Sequence, residues 1–175
     1  MDSGELITRG SVWIALSCYA VSELLSAMRP ERERAAISWW FNVAGCIFFL
    51  GHVASAFQYF YHWSNAAAYA ETARQSKQMT GWNSGVGLYI NYIFALVWVS
   101  KVIRTRTTRV VSWAGRKIWS WMVRVFFLFM IFNGAFVFVR NEYRWLGLAL
   151  CLLVLLSWGL RIKRSVDWGA VPKSS

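Results

Sequence analysis

His52 is the residue in this chain best suited to chemistry. It lies inside a long apolar run, where a neutral imidazole can accept a proton or ligate a metal. Ser55 and Tyr59 follow at spacings of three and four on the same helical face. Asn91, Asn133 and Ser17 fall at comparable depth in three other apolar runs. Together these six residues are read as a candidate ligand-binding layer: either a polar clasp between helices or the lining of a small cavity. A second histidine, His62, is ten residues along the same run. That separation is about 15 Å along a helix, with a rotation near 80°, so both rings cannot bind one iron. A single axial histidine for a haem or a chlorophyll-type pigment stays open at His52. His62, Tyr69 and Glu71 form a weaker candidate group for a surface metal, at a spacing that matches no ligand pattern.

Two charges sit where charges are costly. Glu23 lies in the apolar run 11–28 and Arg124 in the run 118–138. Counted from the nearer end of each run, both lie roughly 8–9 Å deep. Asn42 enters at the same level. The economical arrangement is a Glu23–Arg124 ion pair with the amide beside it. Its plainest role is to fix helix packing, with a proton path through Glu23 or a partner contact as alternatives. Other catalytic templates are missing: there is no GxSxG, HExxH or Walker loop, and GVG at 85–87 follows no strand.

The elements that must position these residues follow from composition. Of 175 residues, 57% are hydrophobic and 15% charged, with mean hydropathy +0.38. Soluble domains carry about 25% charged residues, so the chain reads as an integral membrane protein. The expected fold is all-α, a single compact domain over residues 1–175. Its five transmembrane helices cover about 11–28, 35–62, 84–103, 118–138 and 145–160. Pro30 ends the first run. The start, MDSGELITRG, is acidic and lacks a cleavage pattern, so the first run is expected to remain as a helix. Residues 64–79 are alanine-rich and predict a short amphipathic helix between spans two and three, capped by Ser64 or Asn65 and closed by Gly81. Its mild apolar stripe is Ala66, Tyr69, Ala70 and Ala73. No internal repeat or inverted duplication is visible.

Charge sets the expected orientation. Thirteen Lys and Arg fall in the loops and tail on one side and five on the other: Arg9, Arg74, Lys77, Arg140 and Arg144. The positive-inside rule then puts the N-terminus outside and the C-terminus in the cytoplasm of a bacterial inner membrane or its equivalent. The net charge of +11 is a matter of topology, and nucleic acid is not an expected partner. The basic inner loop 104–117 suits anionic lipid headgroups. Tryptophans 39, 40, 98, 113, 119, 121 and 158 fall near the basic side and 13, 63, 82 and 145 near the other, as headgroup anchors. Cys18, Cys46 and Cys151 lie in apolar runs without CxxC spacing, so neither disulfides nor a zinc site is expected. The leading functional expectation is a non-catalytic accessory or scaffold subunit, acting through helix packing, lipid and partner contacts in a homo-oligomer or larger membrane complex. The alternatives are a small-molecule or ion binding and transport protein with a polar outer-half cavity at His52, Asn91 and Asn133, and a haem- or pigment-binding redox subunit.

Overall fold

The computed structural model describes residues 3–28, 32–107, 113–137, 139 and 143–169. It is all-helical, and five of its helices are long and apolar enough to cross a membrane: 3–27, 33–61, 86–104, 118–135 and 143–164. The basic segment 105–117 and the loops at 29–31 and 140–142 lie outside the residues whose side chains are described.

Helix α1 (Ser3–Ala27) starts well before Ser11. Glu5 in its first turn favours the positive end of the helix dipole and pairs with Arg9 at 2.8 Å, one turn on. Helix α2 (Arg32–Ala56) runs into a π-helical turn, Phe57–Tyr61. It stops where His62 and Trp63 adopt left-handed backbone, φ 47° and 60°. The Trp63 amide reaches back to the Phe57 carbonyl (3.1 Å) and the Trp63 indole donates to Gln58 Oε1 (2.9 Å), which holds this non-glycine cap.

Helix α3 (Asn65–Thr80) is short. The Ser64 hydroxyl accepts from the Ala67 amide, and Gly81 (φ 81°) closes the helix. Its covered face is Ala68, Thr72, Ala73, Ser76 and Met79, whereas Ala66 and Ala70 point outward. This corrects the stripe expected from sequence. Of that stripe Ala73 is covered, and Tyr69 packs sideways against Gly85 and the Tyr89 ring (6.0 Å). Helices α4 (Val86–Thr107), α5 (Trp113–Phe132, continued by a π-helical turn Asn133–Val137) and α6 (Tyr143–Gly169) complete the chain.

Helix α1 packs along α2 and against α6, and its Tyr19 ring reaches α4 and α5 at Trp98 and Phe127. Tyr19, Phe49, Phe94, Trp98 and Phe127 form a buried aromatic core, with ring centroids 4.5–5.8 Å apart in mostly tilted and edge-on pairs. Trp98 therefore departs from its expected place at the headgroups. It is fully buried, and its indole donates to the Asn42 side-chain and main-chain oxygens (3.1 and 3.3 Å). Trp158 is also buried, edge-on to Trp121. Trp40, Trp63, Trp82 and Trp145 are exposed, as headgroup anchors would be.

Glycines mark the close approaches. A methyl group at Gly45 would lie 2.9 Å from the Trp98 ring and 3.0 Å from the Ala15 carbonyl, and one at Gly147 would collide with the Ala135 backbone. Gly51 has open space. Gly45→Ala and Gly147→Ala are each expected to lower stability by about 1–3 kcal/mol through overpacking. Gly51→Ala should be neutral or stabilising by up to about 1 kcal/mol, from helix propensity alone. Thermal unfolding of the purified variants checks the ranking.

Candidate functional site

The C-terminal half of α1 carries the largest concentration of polar chemistry. Ser22 and Ser38 exchange reciprocal bonds, each hydroxyl donating to the other's backbone carbonyl at 2.9 Å, so α1 and α2 are laced together. Such contact needs small side chains on both helices. The Asn42 amide donates to the Ser22 hydroxyl (3.4 Å) while its oxygen accepts from Trp98, which extends the link to α4.

Glu23 is next in the chain and is buried. Lys101 Nζ of α4 lies 3.1 Å from its Oε1. Arg161 Nη2 of α6 (3.3 Å) and Arg124 Nε of α5 (3.6 Å) approach its Oε2. One carboxylate thus gathers a cation from each of three helices. The Lys101 ammonium also sits over the Tyr19 ring (4.4 Å to the centroid) and near Phe127 (5.1 Å), where ring faces offer it partial negative charge. Arg161 additionally donates to the Glu23 carbonyl (3.3 Å) and to the Ser26 hydroxyl, and Arg164 donates to the Met28 carbonyl (2.7 Å). These two arginines cover the carbonyl end of α1, where the helix dipole is negative.

Glu23 and Arg124 are brought together, and Asn42 lies beside them through Ser22. Sequence reasoning missed Lys101 and Arg161. Both fall among the thirteen basic residues of the flanking segments, within a turn of the ends of their spans. Their long stems bend back into the bundle. The available signal was their helical depth, which matches that of Glu23.

The other candidate residues do not form one layer. His52 is half-buried, and its Nδ1 lies 2.7 Å from the Thr8 carbonyl. A carbonyl only accepts, so Nδ1 carries the proton and Nε2 is the nitrogen left to ligate or to accept. Thr8 donates in turn to Ser55 (3.0 Å), and Ser55 to the His52 carbonyl (2.9 Å). His52, Ser55 and Thr8 thus form a clasp between α1 and α2. Ser17 is exposed on the outer surface of α1, and Asn91 is exposed on the face of α4 that also carries Leu88, Phe94 and Trp98. Asn133 donates to the carbonyl of Phe129 in its own helix (2.8 Å). Tyr59 is half-exposed and packs over Gly4. His62 is exposed at the end of the π-helical turn, and Tyr69 packs on Gly85. Glu71 binds Arg74 (2.6 and 2.8 Å) and Gln75 (2.9 Å) along α3. Among the described residues no three His, Cys, Asp or Glu side chains converge.

Two outcomes follow. Glu23→Gln leaves three cations in the bundle without their counter-charge and is expected to cost about 3–5 kcal/mol, the usual penalty for breaking a buried ion cluster. Unfolding of the purified protein in mixed micelles measures it. On α3, hydrogen bonds from Arg74 hold the Glu71 carboxyl below its ordinary value of 4.5, against an opposing effect of burial. A depressed carboxyl stabilises the folded form above its unfolded value and loses that effect as pH falls through the folded one. Protection factors of the amides along residues 65–80, taken relative to the intrinsic exchange rate at each pH, should therefore fall on acidification below pH 4.5, and Glu71→Gln should remove that dependence. Comparison with family models, curated proteins and solved structures finds no match, so what this site does has to be argued from its own chemistry.

Proposed function

We propose that this chain is a small accessory subunit of a membrane complex, acting as a scaffold through helix packing, lipid contact and contact with a partner helix. In this reading its N-terminus faces outside and its C-terminus the cytoplasm of a bacterial inner membrane or its equivalent, in keeping with the thirteen-to-five division of Lys and Arg.

Asn91 is the observation that carries the reading. Its amide stands exposed on α4, about 8 Å in from the start of the helix at Val86, and has no hydrogen-bond partner among the described residues. Its neighbours one turn away on the same face are Gly87, Leu88, Phe94 and Ala95, of which Leu88 and Phe94 are buried. An amide facing hydrocarbon without a partner is costly, and a bond to a neighbouring helix removes that cost. The polar groups inside the bundle support the same reading from the other direction. Glu23, Asn42, Ser22, Ser38 and His52 are all engaged between helices, which leaves the outer faces as the place of action. The outer side of the membrane would then carry α3 and the exposed Trp63 and Trp82.

Extraction from native membranes in mild detergent, followed by native mass spectrometry, tests the proposal. The wild type should run with a stoichiometric partner or as a defined multimer. Asn91→Leu should keep its unfolding midpoint yet run as the single 20.2 kDa chain. A wild type that is already a lone chain, or one that by itself moves solute across vesicles in a manner lost in His52→Ala, overturns the scaffold reading.

A further inference from the structure

The ion cluster at Glu23 is unbalanced. Lys101, Arg124 and Arg161 bring three positive charges to one carboxylate. Arg164 adds a fourth cation at the end of α1. The carbonyl end of α1 supplies roughly half a negative charge in return. Among the described residues the cluster therefore keeps an excess of roughly two to three positive charges, by this count of ionised groups and helix dipole. In a low-dielectric setting such an excess attracts an anion strongly.

Unused hydrogen-bonding atoms point the same way. Tyr19 is fully buried in the cluster beside the Glu23 carboxylate, and its hydroxyl has no hydrogen-bond partner within 3.5 Å among the described residues. Arg161 Nε is buried and unpartnered as well. A phenol donor and a guanidinium donor beside surplus positive charge are the groups that recognise a tetrahedral oxyanion. The cluster is also within reach of a ligand: the side chains of Lys101, Arg124 and Arg161 are 19%, 18% and 25% exposed, whereas Glu23 is covered at 5%. The cations open outward and the carboxylate stays behind them.

We propose that Lys101, Arg124, Arg161 and the Tyr19 hydroxyl form a binding site for a phosphate group, supplied by an anionic lipid headgroup or by free phosphate. Lys101 and Arg161 each lie three residues from the end of their spans at Arg104 and Arg164, about 4–5 Å inside. That is the depth at which a headgroup phosphate meets the hydrocarbon, and it makes the lipid the natural source. A bound phosphate would neutralise the surplus charge and satisfy the Tyr19 hydroxyl in one step. The site stands on the charges of the lone chain and is independent of any partner at Asn91.

The test uses the full chain purified in neutral detergent, with unfolding followed by tryptophan fluorescence. Phosphatidylglycerol, phosphatidylcholine and sodium phosphate are titrated separately, the last against sodium chloride at matched ionic strength. A ligand that binds only the folded form raises the unfolding midpoint saturably. Phosphatidylglycerol should do so and phosphatidylcholine should not. A shift with sodium phosphate alone supports the site and assigns it to free phosphate. Arg124→Gln should abolish the shift. Because that variant alters the cluster itself, Tyr19→Phe is the decisive one. It removes a single hydroxyl beside Glu23; its ligand-free unfolding midpoint should match the wild type, and the half-saturating phosphatidylglycerol concentration should rise about tenfold, as for loss of one bond to a charged group. Lys163→Gln removes the same charge as Arg124→Gln from an exposed position on α6 and should respond like the wild type. Equal shifts with both lipids, no shift with either phosphate source, or a wild-type response from Tyr19→Phe would overturn the site.

Discussion

Glu23 is the constraint on which the bundle depends. A carboxylate in a membrane span is tolerable only if it is paired, and here its two oxygens face cations from α4, α5 and α6. The remaining spanning helix, α2, is tied in by the neighbouring Ser22, through Ser38 and Asn42. Two adjacent residues of α1 thus contact every other spanning helix. Lipid supplies no hydrophobic drive between helices, since hydrocarbon is as apolar as leucine, so association rests on packing and polar contacts. Concentrating those contacts at one level explains why the large buried aromatics, Tyr19, Trp98 and Phe127, lie directly against that level. The rings close the space around charges that need a partner and a dry wall.

The number of spans was legible because bilayer thickness sets run length, and composition reports it directly. The level of Glu23 and Arg124 was legible for a related reason. Helix rise is constant, so position along a run translates into depth. What a sequence conveys poorly is the direction each residue faces around its helix. Ser17 lies at suitable depth for a layer with His52 but points outward, and Asn91 is exposed without a bond to His52. Trp98 lies at headgroup depth by count but points inward, where Asn42 gives its indole an acceptor. Asn133 opens a π-helical turn, and such a turn shifts the face of every residue after it relative to a regular 3.6-residue count. Lys101 and Arg161 escaped notice for a different reason, the flexibility of their stems: the same reach that lets a basic side chain snorkel outward lets it fold inward toward a carboxylate.

The two ends of the bundle are built differently. The Glu23 end is held by full charges and a solid aromatic core. The His52 end is held by neutral bonds, the His52–Thr8 and Thr8–Ser55 contacts, and its helices end in π-helical turns at Phe57–Tyr61 and Asn133–Val137. Neutral bonds of this kind contribute on the order of 0.5–1.5 kcal/mol each, less than the cost of stripping a counter-ion from a buried cluster. Local opening should therefore begin at the His52 end. The short helix α3 caps that end and is tied to α4 by the Tyr92–Asn65 bond, the Tyr69–Tyr89 contact and the approach of Thr72 to Gly87, with no ion pair among the described residues. A bundle that is rigid at one end and loosely closed at the other can present α3 and the upper turns of α4 as an adaptable surface while the charged end keeps the helices in register. Asn91 lies on that looser half, so a partner helix meeting it would find side chains able to adjust without disturbing the cluster at Glu23.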